Sequence, residues 1–182
     1  MRIAMPEDVA DPYSNLGLHY AGEIVGSVSQ FSQTVYRRTT LPLRVFEAAR
    51  ARTAEINGCL VCRAFRAKRD MASYDGSKVG SVVDNGDAPD EDFYQNVSAW
   101  KTYEGFNARE RVAIELAERF CEEPQALSVD DDFWARAHGS FSDDEIVELT
   151  HAVASFVATG RVAHVLGLDR VCTIQTIGEI SQ

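Results

Sequence analysis

Apolar residues recur at spacings of three and four along most of this chain, and strict strand-like alternation is absent. Between Gly22 and Tyr36 the stripe is Ile24, Val28, Phe31 and Val35, which predicts a first amphipathic helix. Thr40 followed by Pro42 reads as a helix start. The segment behind it carries Val45, Ala48, Ala49, Arg52 and Ile56 before Asn57-Gly58 ends it. A further helix is expected from Cys59 to about Ala72, so that the two helices meet at a tight corner. Residues 74–92 contain Asp84-Asn85-Gly86-Asp87 and Pro89 and read as a long exposed loop, either a solvated insertion or a lid.

A short helix is expected around Phe93 to Trp100. Asn107-Ala108-Arg109-Glu110 then has the form of a capping box, in which an N-cap side chain and the residue three positions on satisfy each other's backbone N–H groups. The helix it opens carries Val112, Ala113, Leu116, Ala117 and Phe120 inward, and Pro124 stops it. Another short helix fits Asp130 to Ala137. Ser142-Asp143-Asp144-Glu145 is a second capping box, and its helix runs through Ile146, Leu149, Val153, Phe156 and Val157 to about Leu166, with Gly167 as terminator. The pattern predicts an all-α protein, with a β-branched tail at Val171-Cys172-Thr173-Ile174 that would be extended and pack on a neighbouring subunit.

At 182 residues, 45% hydrophobic and 25% charged, the chain is expected to form one domain with its own core, residues 22–168, flanked by an N-terminal arm, 1–21, and a C-terminal tail, 169–182. No run of 18 apolar residues is present to span a bilayer. The formal charge of −10 argues against binding nucleic acid by phosphate neutralisation, which needs a basic surface. The basic cluster Arg63, Arg66, Lys68 and Arg69 reads as local tuning or a solvated face. Met1-Arg2-Ile3-Ala4-Met5-Pro6 is followed by acids and not by an apolar signal core, so a cytoplasmic location is expected.

The four cysteines are too few for a disulfide scaffold. Cys121 and Cys172 lie alone on apolar stretches and are expected to be buried core thiols. Cys59-Leu60-Val61-Cys62 is different. Its two thiols stand three positions apart on the first turn after Asn57-Gly58, where unpaired N–H groups favour thiolate over thiol. Two thiols so placed can close a disulfide with little backbone movement, and the spacing suits exchange chemistry.

Glu47, eleven intervening residues and then Cys59-Leu60-Val61-Cys62 resemble the Glu-x11-Cys-x-x-Cys pattern of the alkylhydroperoxidase D-like branch of the carboxymuconolactone decarboxylase-like superfamily. Arg44-Val45-Phe46-Glu47, Glu55-Ile56-Asn57-Gly58-Cys59 and the two helix starts at Phe106-Asn107-Ala108-Arg109-Glu110-Arg111 and Phe141-Ser142-Asp143-Asp144-Glu145-Ile146 carry the same likeness. It is strong over residues 41–70 and looser over residues 106–168. The resemblance implies an all-helical bundle assembling as a homotrimer or homohexamer. It also implies reduction of a small-molecule substrate such as an organic hydroperoxide, with Cys62 as nucleophile, Cys59 as resolving thiol, Glu47 in a proton relay and a separate dithiol as reductant. It implies no cofactor and no metal.

The relay histidine of that pattern, four residues after the second cysteine, is Arg66 here. A guanidinium stays protonated and cannot act as a base. With the corner at Asn57-Gly58, Glu47 lies ~15 Å back along one helix and Arg66 ~12 Å forward along the next. On antiparallel helices the two would sit level, so a Glu47 to Arg66 salt bridge stands against a relay role for Glu47. At i+4 from Cys62, Arg66 would also favour the thiolate electrostatically. His164 falls on the apolar stripe of the last helix and His151 a little off it. Each reads as a hydrogen-bonded core residue or as a replacement for the missing base. His138 precedes a glycine and reads as a turn residue, and His19 has no nearby partner pattern.

Two other readings compete. In one, a non-redox decarboxylase-like enzyme acts on a lactone or carboxylate, with Glu47, Arg66 and a histidine doing acid–base work and anion binding. In the other, the chain keeps the fold and is catalytically silent. Zinc on the cysteine pair would need two further ligands at matching spacing, and no second Cys-x-x-Cys or Cys-x-x-His exists.

Overall fold

A computed structural model describes residues 1–6, 9, 11, 13–75 and 81–170. Among these the architecture is all-helical, with no strand. The helices are α1 (Leu16–His19), α2 (Gly22–Arg38), α3 (Leu43–Asn57), α4 (Leu60–Ala64), α5 (Ala67–Asp75), α6 (Glu91–Gln95), α7 (Ala108–Glu122), α8 (Pro124–Ser128), α9 (Asp131–Ser140) and α10 (Asp143–Leu166). The tail expectation at Val171–Ile174, with Cys172, lies outside the described residues.

Helix α3 is the axis of the bundle, because its alanines let neighbours approach from every side. Val45 and Ala49 pack with Val112, Leu116, Phe133, Leu149 and Val153 of α7, α9 and α10. Ala48 and Ala51 meet Phe93, Tyr94, Trp100, Phe106 and Ile114. Leu43 and Phe46 meet Met71, Val82, Ala152 and Phe156. Both capping boxes form: Asn107 with Glu110 opens α7, and Ser142 with Glu145 opens α10. Gly167 ends α10 in the left-handed conformation, as its position predicts.

Four local expectations change. The helix expected over Cys59–Ala72 is two helices, α4 and α5, broken at Phe65, whose backbone is extended. The break is held by side chains: Arg50 Nη2 donates to Phe65 O at 2.8 Å, and Arg66 N donates to Asp70 Oδ2 at 2.7 Å. The loop expected over residues 74–92 is packed where it is described. Val82 is fully buried, Asn85 Nδ2 donates to the carbonyls of Thr39 and Leu41, and Asn85 O accepts from Leu43 N at the start of α3.

That Leu43 contact does part of the work assigned to Thr40, which instead binds the Glu148 carboxylate through N and Oγ1. Helix α2 is present, but its inward line runs through Ser32, Val35 and Tyr36, leaving Ile24 and Phe31 exposed. Val147, Val162 and Val165 are further apolar residues exposed on α10. No helix among the described residues is long and apolar enough to cross a membrane.

Candidate active site

Gly58 ends α3 at φ 71°, a left-handed turn that a side chain resists. The chain then runs extended through Cys59, which caps the single turn of α4. Cys62 N donates to Cys59 Sγ at 3.2 Å. Cys59 and Cys62 are joined in a disulfide, with Cα atoms 5.3 Å apart. Cys59 is fully buried, whereas Cys62 is half-buried and is the sulfur that solvent reaches more easily.

The sulfurs face α10 at Gly160. A Cβ at that glycine would lie 3.2 Å from Cys62 Sγ and 2.9 Å from Asn57 Nδ2, so only glycine lets the disulfide rest on the helix backbone. Asn57 fixes the same junction, donating to Phe156 O and accepting from Arg161 Nε, each at 3.0 Å.

Beneath the dithiol turn, Glu47 is fully buried. Its partner is Arg50, one turn along α3, and not Arg66. Arg50 Nε and Nη2 donate to the two carboxylate oxygens at 2.6 and 3.0 Å. Arg50 Nη1 donates to Cys62 O at 2.7 Å. Tyr94 Oη donates to Glu47 Oε2 at 2.5 Å. Burial and the neighbouring Glu47 carboxylate push the Tyr94 hydroxyl well above the usual phenol range. Burial works against the Arg50 charge, but Glu47 outweighs it and holds the guanidinium protonated.

The Glu47 to Arg66 salt bridge considered above is absent: Arg66 packs on the face of the Tyr94 ring, whose hydroxyl is the group that reaches Glu47. The Arg66 guanidinium pairs with Glu91 at 2.8 Å and lies 3.8 Å from the centre of the Tyr94 ring. A cleft of about 480 Å³, lined by Leu60, Arg63, Ala64, Arg66 and Tyr94 among others, opens on the side of α4 away from Gly160.

His164, one turn after Gly160 on α10, lies over the corner: its Nε2 is 3.0 Å from where a Cβ at Gly58 would stand. Its Nδ1 meets Asp169 Oδ2 at 2.9 Å, and the same oxygen accepts from Leu60 N at 3.0 Å. Burial alone would raise the Asp169 carboxyl, but the His164 and Leu60 hydrogen bonds hold it below the ordinary carboxylate range. His151 faces solvent and its Nδ1 meets Val147 O on its own helix. Cys121 packs against the core, and burial pushes its thiol up.

The structure thus gathers Cys59, Cys62 and His164 at one junction, with Glu47 below it, and leaves Arg66 and His151 outside. Sequence reasoning missed Arg50, Tyr94, Gly160 and Asp169. Arg50 was within reach, since a carboxylate and an arginine three apart share a helix face. Tyr94, Gly160 and Asp169 come from distant segments and carried no local signal. Among the described residues no group of three or more His, Cys, Asp or Glu side chains is placed to hold a metal ion.

No protein-family model and no curated protein sequence matches the chain. A solved structure does resemble it, with a TM-score of 0.60 and 20% identity over 87% of this chain and 95% of the other. That protein, from Agrobacterium tumefaciens, is described as one of unknown function and a candidate antioxidant defence protein AhpD. The likeness establishes the fold: this chain has the AhpD-like all-helical fold and carries a Cys-x-x-Cys pair within it.

Proposed function

We propose that the protein is a thiol-dependent reductase of hydroperoxides that cycles Cys59 and Cys62 between dithiol and disulfide. The observation that carries this reading is the disulfide itself, closed across one turn with Cys59 buried and Cys62 half-buried. The more accessible Cys62 thiolate attacks the distal peroxide oxygen, giving a sulfenic acid and an alcohol. The Cys59 thiol then displaces hydroxide from the sulfenic sulfur, forming the disulfide and water. A separate dithiol reduces the pair again.

The AhpD-like fold supports the reading, as does the seat at Gly160, which accepts the closed sulfur pair without displacement. Assembly as a homotrimer or homohexamer belongs to the same proposal. The exposed Val162 and Val165 near the end of α10 are apolar surface that a subunit contact would cover.

The test is alkylation and mass spectrometry of Cys59 and Cys62 after reduced protein meets a modest excess of an organic hydroperoxide, with Cys62→Ser as control. Disulfide formation within seconds, abolished in the variant, is the expected result. Thiols that survive for many minutes would overturn the peroxidase reading.

A further inference from the structure

We propose that His164, oriented by Asp169, is the proton acceptor of the dithiol, replacing the histidine that the position of Arg66 lacks. The inference rests on the dithiol chemistry proposed above and adds to it the group that makes the thiolate.

The orientation of the ring is decided by its partner. A carboxylate can only accept, so the 2.9 Å contact to Asp169 Oδ2 places the proton of the neutral imidazole on Nδ1 and leaves the Nε2 lone pair free. That lone pair faces the corner between α3 and α4. Gly58 keeps it uncovered, because a Cβ there would stand 3.0 Å from Nε2. Gly160 and His164 are four residues apart on α10, so the seat of Cys62 Sγ and the imidazole are neighbours on one helix face, ~5–6 Å apart at their Cβ positions.

Asp169 is itself fixed by more than the histidine. Its Oδ2 also receives Leu60 N–H at the first residue of α4, so one carboxylate oxygen positions both the base and the turn that carries the sulfurs. Its side chain is fully buried, and Oδ1 is buried with no hydrogen-bond partner among the described residues. This leaves the carboxylate's attraction directed at His164 and Leu60, an arrangement that favours the imidazolium formed when the thiol gives up its proton.

The titratable and charged groups nearest His164 on the elements that meet it are Asp169, the two cysteines across the corner and Arg161 one turn back, which is held on Asn57, with Met1 lying further on beside Gly167. Of these, the imidazole is the group whose ring nitrogen lies over the corner that carries the cysteines. In the step itself the Cys62 S–H bond breaks and its proton passes to His164 Nε2. After the S–O bond forms and O–O breaks, that proton goes to the departing alkoxide as the alcohol. Two electrons pass from sulfur to the hydroperoxide.

The test uses the full reduced chain with Cys59→Ser, and the iodoacetamide alkylation rate of Cys62 is followed across pH by peptide mass spectrometry, which separates it from Cys121 and Cys172. His164→Gln, at a partly exposed position, is the first variant; Asp169→Asn is the second. The expected result is a Cys62 alkylation rate at neutral pH lowered about 10²-fold by His164→Gln, with the low-pH limb of the profile lost. Asp169→Asn is expected to keep that limb but displace it. Profiles superimposable on that of the parent protein would overturn the proposal. The readout needs no peroxide, so a chain inert to hydroperoxides still reports on His164. Far-UV circular dichroism identifies a variant that has lost its fold, in which case His164→Asn supplies the measurement.

Discussion

Arg50 grips Glu47 with two parallel hydrogen bonds, 2.6 and 3.0 Å, and with its remaining nitrogen capacity holds the carbonyls of Cys62 and Phe65 at 2.7 and 2.8 Å. One guanidinium thus joins the central helix to the end of the dithiol turn. The pair is nearly inaccessible, and Tyr94 closes it from the third side.

Removing one member leaves a buried, uncompensated charge. Arg50→Met is expected to lower unfolding free energy by about 3–5 kcal/mol, read by urea denaturation. Glu47→Gln keeps the shape and is expected to destabilise as well, since Arg50 loses its counter-charge. A loss in Arg50→Met no greater than about 1 kcal/mol, the range of exposed pairs, would show that the network is solvated.

Gly160→Ala places a methyl 3.2 Å from Cys62 Sγ and 2.9 Å from Asn57 Nδ2. Overpacking of this kind costs about 1–3 kcal/mol. The variant is expected to melt at lower temperature and to form the Cys59–Cys62 disulfide more slowly on oxidation. Equal rates of disulfide closure in the two proteins would mean that the seat at α10 does not constrain the sulfurs.

Ser142→Ala removes the acceptor for Glu145 N at the start of α10 and is expected to cost about 1 kcal/mol. Ser142→Asp keeps an acceptor and is expected to hold most of the stability. Thermal unfolding of the three proteins side by side makes the comparison, and equal losses in both variants would remove the cap as the cause.

Asp169 ties acid stability to the same junction. Burial opposes its ionisation, yet the His164 and Leu60 hydrogen bonds bring its folded-state value below the ordinary range. A carboxyl lowered on folding contributes its full stability above the unfolded value of about 3.9. The contribution fades as pH falls through the still lower folded value. The gap in melting temperature between the parent protein and Asp169→Asn is therefore expected to narrow from about pH 5 toward about pH 2. A gap that widens in acid would reverse the sign of the linkage.

Legibility in the sequence followed the range of the interactions. The capping boxes at Asn107 and Ser142 and the terminators Gly58 and Gly167 act within one helical turn, and each stands where the pattern places it. The Cys-x-x-Cys turn was legible for the same reason. Arg66 was misplaced because its position depends on the change of direction at Phe65, which is held by Arg50 from another helix and by Asp70. The apolar line of α2 was misjudged by a rotation about the helix axis: Ile24 and Phe31 satisfy the period, but packing selects the neighbouring line through Ser32. Asp169, expected as the first residue of the C-terminal tail, is buried because His164 and Leu60 N both meet its carboxylate.

The one-turn helix α4 is anchored at its start by Asp169 on Leu60 N and at its end by Arg50 on Cys62 O and Phe65 O. None of these three anchors involves a sulfur atom. All three can therefore persist when the disulfide opens, and the backbone of the turn is expected to keep its outline. On the dithiol cycle proposed above, a reductant is then expected to act on the sulfur atoms themselves and not on a change in the shape of the bundle.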